Sequence, residues 1–259
     1  MNFTALGILT VLAMLAATLC LLEIGRRLGV RRLAQDPEGA KAGAGAVDGA
    51  VFGLMGLLIA FTFTGAAARF DARRALAVEE ANCVGTAWLR LDLLPASAQP
   101  PLREKFRHYV DARLALFRKL PDIAAAKAEQ TRAGVLQTEI WAQAVAACRD
   151  SGTSPATMLL LPALNQMFDM ATTRTMGIRM HPPAAIYGML ALLVLAAALL
   201  AGYGMGAGKI RHWLHALAFV LVTVLAVYVI LDFEFPRIGL IRIHDIDQVF
   251  VDLQESMKP

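Results

Sequence analysis

Asp232 and Glu234 stand two residues apart just after the last long apolar stretch of the chain. Paired carboxylates can divide general acid and general base work when a pocket sets their pKa values apart. No clustered polar residues in the sequence supply such a pocket, and a helix end entering water accounts for the pair. His212 and His215 are spaced to share one helical face, but no carboxylate or thiol nearby completes a metal set. They read as interfacial packing beside Trp213. Cys20 lies in an apolar run, and the spacing of Cys83 and Cys148 fits no zinc motif. Those two can pair only if they face an oxidising compartment. With no glycine-rich nucleotide loop either, the residues predict no catalytic group, no cofactor, no metal site and no enzyme.

What must be positioned is therefore not chemistry but helices. Of 259 residues, 57% are hydrophobic and only 18% charged, whereas a soluble domain carries about a quarter charged residues. Four stretches approach the roughly 20 apolar residues that cross a bilayer: Phe3–Leu22, Gly49–Ala68, Ala184–Gly202 and Trp213–Leu231. None contains Asp, Glu, Lys or Arg. The first is expected to be retained. Its basic residues, Arg26, Arg27, Arg31 and Arg32, follow the apolar run, whereas a cleaved leader has them in front. A net charge of +4 and an isoelectric point near 9.1 fit basic residues beside anionic lipid headgroups, and nucleic acid is not an expected partner.

The spans divide the chain into 1–68, a first transmembrane pair with a short basic loop; 69–183, a helical aqueous domain continuing from the second span; 184–232, a second pair; and 233–259, a tail. The predicted fold is all-α: a polytopic membrane protein with four transmembrane helices and a helical insert between the second and third. Prolines cut the insert into helices: Pro95, Pro100 and Pro101 end one stretch, Leu102–Leu120 forms the next, and Asp122 caps a third running to about Arg149. Ser154–Pro155 opens a fourth, bent at Pro162. Orientation stays open, because Lys and Arg flank the spans equally on both sides: Arg26, Arg27, Arg31, Arg32, Lys41, Lys209 and Arg211 oppose Arg69, Arg73, Arg74, Arg174, Arg179, Arg237 and Arg242.

The second span carries the most patterning. No proline interrupts Gly49–Leu94, so the spacing predicts one rod of about 70 Å passing from lipid into water, with a break at Gly65 as the alternative. Gly49, Gly53, Gly56 and Ala60 form a small-xxx-small row suited to close helix packing. Met55, Ile59 and Phe63 form a second stripe that could line a hydrophobic pore constriction; packing or lipid contact is the plainer reading. Thr62 lies nearby, its hydroxyl able to bond back to the previous turn. Beyond the apolar run, Glu79, Asn82, Thr86 and Arg90 fall on one face, and Arg69, Asp71, Arg73 and Arg74 mix both charges. This face is expected at a wet vestibule or a subunit interface, or as a solvated surface.

Val51–Pro95, VFGLMGLLIAFTFTGAAARFDARRALAVEEANCVGTAWLRLDLLP, resembles the signature of a bacterial and plant membrane family of unknown function described as bestrophin-like. Leu231–Ile243, LDFEFPRIGLIRI, is similar to that family's segment after its final span. The resemblance implies a multi-pass protein of the cell (inner) membrane and, by analogy with bestrophins, a homo-oligomer of five subunits whose second span lines a pore. It carries no acidic calcium cluster: Asp232, Glu234, Asp245 and Asp247 are interleaved with apolar residues. The expected function is a channel-like pore for small inorganic ions, anions marginally favoured because Arg69, Arg73 and Arg74 would concentrate them. The alternative is a non-conducting membrane sensor or adaptor whose helical domain binds a partner.

Overall fold

The computed structural model describes residues 3–35, 44–150, 154–206, 213–235 and 244–258. Lys41, Lys209, Arg211, His212, Arg237 and Arg242 lie outside the described residues, as do residues 236–243 of the tail motif. The described residues form α1 (Phe3–Gln35), α2 (Ala44–Leu89), a 3-10 turn (Arg90–Leu93), α3 (Gln99–Arg118), α4 (Ile123–Asp150), α5 (Ser154–Arg179), α6 (Ala184–Met205), α7 (Trp213–Glu234) and α8 (His244–Ser256), with no strand among them. Among the described residues four helices are long and apolar enough to cross a membrane: α1, α2, α6 and α7. Helix α2 is unbroken at Gly65 and spans 46 residues.

Local chemistry explains the boundaries. Pro100 and Pro101 sit in the first turn of α3, where a missing N–H costs nothing. Asp122 caps α4: its carboxylate accepts the Ala125 N–H at 3.0 Å, and its carbonyl accepts the Ala126 N–H at 2.9 Å. Pro183 precedes α6 in an extended conformation that no helix can continue through.

The chain divides into two compact units, one of Met1–Arg69 with His181–Leu240, the other of Phe70–Met180 with Ile241–Pro259. Residues 233–259, expected as a separate tail, are shared between them: α8 belongs to the second unit.

In the first unit α1 and α6 cross through glycines on both helices. A methyl group on Gly25 would overlap the Leu199 carbonyl oxygen, one on Gly202 the Leu22 carbonyl oxygen, and one on Gly29 the Tyr203 carbonyl oxygen. On Gly206 it would lie 2.7 Å from the Val30 nitrogen. Each side thus contributes two glycines four residues apart, Gly206 being the residue that caps the end of α6, and the backbones touch with no side chain between them. In a bilayer, where burial of apolar surface gives no drive for association, such contact supplies dispersion and Cα–H···O attraction instead. Helix α2 joins this unit differently, through long side chains: Met55 and Ala66 pack with Leu190, Val194 and Ala197 of α6 and Ile230 of α7, and Phe52 meets Phe219 edge-on at 6.1 Å.

The second unit has an interior of ordinary globular kind. Leu102, Phe106, Tyr109 and Val110 of α3, Ile140 and Ala144 of α4, and Leu160, Leu164 and Met167 of α5 are fully buried together with Val84 and Ala87 of α2. Helix α8 closes this core with Phe250 and Met257, and is tied down by Arg107 Nε donating to the Met257 carbonyl at 2.7 Å and by Gln254 bonding Asp111.

Gly202→Leu should therefore cost at least about 3 kcal/mol, the upper part of the overpacking range, because backbone rather than a flexible side chain is in the way. Gly204→Leu, on the same helix with nothing within 4 Å, should leave stability nearly unchanged. Thermal unfolding of the two purified variants in one detergent checks the contrast.

Candidate functional site

Of the proposed constriction, Met55 is buried and Ile59 half-buried inside their own chain's bundle. The α2 face they occupy is the one that packs on α6 and α7. Thr62 is likewise turned onto its own helix, its Oγ1 donating to the Leu58 carbonyl at 2.7 Å. Phe63 is 42% exposed, with one edge against Phe233 at 5.7 Å between ring centres. The small row is different. Gly49, Gly53, Gly56 and Ala60 are all exposed, and a methyl group on any of the three glycines would meet nothing within 4 Å. Gly56 follows Met55 and Ala60 follows Ile59, so the row lies about 100° around the helix from the packed face.

At the end of α7, Glu234 is fully buried and both carboxylate oxygens are engaged. Arg69 donates from Nε to Oε2 at 2.8 Å, and its second nitrogen lies 2.7 Å from the same oxygen. His181 Nδ1 lies 2.8 Å from Oε1, and its ring stacks on Phe235 at 4.8 Å. This arrangement joins α2, the segment before α6 and α7 within the first unit. It also explains Glu234 without acid–base catalysis: a buried carboxylate needs a cation and hydrogen bonds in place of water. Asp232 beside it is buried as well.

The second unit holds a larger charge cluster, on residues the sequence reading did not join. Glu80 is fully buried. Arg113 of α3 donates from Nε to its Oε1, and Arg174 of α5 donates to its Oε2 at 2.9 Å. Arg174 also lies 3.9 Å from Asp247 of α8 and over the rings of Phe117 at 3.7 Å and Phe250 at 4.8 Å. Arg113 donates further to the Ala171 carbonyl at 3.2 Å. Two carboxylates and two guanidinium groups from four helices thus balance in charge inside the unit. Burial alone would pull the Arg113 pKa down, but the charge and hydrogen bond of Glu80 more than reverse it and hold the group above its ordinary value. Burial also pushes the nearby Tyr109 hydroxyl well above the usual tyrosine range, so it stays neutral while accepting a hydrogen bond from Gln137 at 3.2 Å.

The expected vestibule residues therefore separate. Arg69 is engaged with Glu234. Arg73 is buried, donating to the Gly177 carbonyl at 3.3 Å and the Met180 carbonyl at 3.0 Å, where it caps the end of α5. Arg90 donates to the Leu159 carbonyl at 2.6 Å, in the turn where Pro162 lacks an N–H. Asp71, Arg74, Glu79, Asn82 and Thr86 remain exposed, with Asp71 and Arg74 only 3.8 Å apart on the surface. Cys83 and Cys148 are both buried in one apolar cluster. Among the described residues no three His, Cys, Asp or Glu gather to hold a metal ion.

No known protein family, curated protein or solved structure matches the chain.

Glu80→Gln leaves two buried guanidinium groups with only Asp247, 3.9 Å from Arg174, to balance them, and should cost about 3–5 kcal/mol. Glu79→Gln, one residue away and exposed, should change stability by less than about 0.5 kcal/mol. Unfolding of both variants under conditions that keep copies apart gives the comparison, and equal losses would refute the ion-pair account.

Proposed function

We propose that the chain is a multi-pass cell-membrane protein, its residues 70–180 forming a helical domain in water, that assembles as a homo-oligomer around α2 and conducts small inorganic ions. One observation carries the reading: the row Gly49, Gly53, Gly56, Ala60 is open, while the neighbouring face of the same apolar helix is packed within the chain. A spanning helix with a small-residue row exposed is suited to approach by another helix. Five copies is the number that the resemblance to bestrophins suggests. With Met55 and Ile59 turned inward, Phe63 is the member of the stripe left to narrow a pore. Any preference for anions falls on Arg74, since Arg69 and Arg73 have partners within the chain.

The same inward turn of Met55 and Ile59 favours a second reading, a non-conducting adaptor that assembles equally well and binds a partner through its helical domain. Purified protein in planar bilayers separates the two. The channel reading expects unitary currents whose size or selectivity changes on Phe63→Ala, and selectivity that shifts toward cations on Arg74→Glu. Silence in several lipids at both polarities would leave the adaptor.

A further inference from the structure

The open row does not stop at the end of the apolar stretch. In the second unit Asp71, Ala75, Val78, Asn82, Thr86 and Leu89 of α2 are exposed, in steps of four, three, four, four and three residues. Eleven residues before Asp71, Ala75 and Val78 stand Ala60, Thr64 and Ala67, and eleven before those stand Gly49, Gly53 and Gly56. The packed side keeps the same repeat: Met55, Ala66, Ala77 and Trp88 are all buried. An eleven-residue repeat is about 3.67 residues per turn, so both rows run almost along the axis, with a slight right-handed drift. Uncharged residues fill the outward row throughout, Asp71 excepted, and they are small as far as Ala75, although much of this second stretch is otherwise rich in charge.

The flanks say what covers it. Arg74 lies about 70° to one side of the row and Glu79 about 70° to the other, and both are exposed. A partner of uniform charge would meet one flank well and the other badly. A parallel copy of the same helix in a ring presents its Glu79 flank to its neighbour's Arg74 flank. The two positions are five residues apart, about 7.5 Å along the axis, a distance two long side chains span. Such flanking charges set partner and register in helical assemblies, and a polar residue such as Asn82 within the seam does the same.

We infer that Asp71–Leu89 of α2 is a copy-to-copy interface in a cyclic, parallel homo-oligomer, with Arg74 of each copy paired to Glu79 of the next. This interface presupposes the homo-oligomer proposed above and adds its register and its polar contacts. Native mass spectrometry of the full chain in lipid nanodiscs tests it with Arg74→Glu, Glu79→Arg and the double reversal. Each single reversal should lower the assembled fraction several-fold, and the double should restore it. Both positions are exposed, so folding should persist, which circular dichroism verifies. Independently, Asn82→Cys on a Cys20→Ser background should form an oxidised dimer, whereas Leu76→Cys, on the half-buried side, should not. If the wild type assembles but the reversals change nothing, or the double stays as poor as the singles, this interface is wrong while assembly through Gly49–Ala60 still stands. If the wild type is a single copy in every lipid and Gly53→Leu alters nothing, both fall.

Discussion

A carboxylate removed from water has to be neutralised where it sits, and Glu80 meets that requirement with two guanidinium groups brought by two other helices. The consequence is rotational. With Glu80 held inward, the α2 residues one or two turns away on the same side, Ala77, Val84 and Ala87, are buried in the core. Val78, Asn82 and Thr86 are then obliged to point out. A rotation of one residue's worth, about 100°, would strand a charge in the apolar interior. The ion pair therefore contributes less through net attraction than through the penalty it places on every other setting of the helix.

In the first unit the same helix meets the opposite circumstance. No ion pair fixes its midsection; bulky apolar side chains do. Met55, Ile59 and Ala66 fit against α6 and α7, and Arg69 is held by Glu234 at the helix's last turn in that unit. Helices α1 and α6, by contrast, touch through Gly25, Gly29, Gly202 and Gly206. The small-residue rows of α1 and α6 thus fill one another within the chain, whereas the row on α2 is open. That difference makes self-association of α2 a physical proposal rather than a motif match.

Much of the fold was legible in the sequence because hydropathy and proline placement act locally. The four apolar helices, the uninterrupted α2, the Asp122 cap and the helix start at Ser154 all follow from residues within a turn of one another, whereas α3 begins at Gln99, three residues before the expected Leu102, because its first turn accommodates Pro100 and Pro101. The charge clusters were not legible, since they join positions far apart in sequence. Glu79 and Glu80 look alike in composition, and only the register that places Glu80 between Ala77 and Val84 marks it as inward. Arg113, set among Val110, Leu114 and Phe117, carried the same signal. The glycines of α1 are hidden for a different reason: Arg26 and Arg27 separate Gly25 from Gly29 and give the segment the composition of a basic loop, yet α1 continues to Gln35. Glu23 supports that extension by accepting from both arginines, 2.9 Å from the Nε of each.

On this view Glu80 sets the rotation of α2, and the row thereby turned outward is where copies meet. Spin labels placed one at a time along α2 test it by electron paramagnetic resonance. The account predicts spin–spin broadening between copies at positions 75, 78, 82 and 86, lost on dilution with unlabelled protein, and none at 76 or 84. Broadening that peaks on the 76 and 84 side, or that follows no helical period at all, would contradict it.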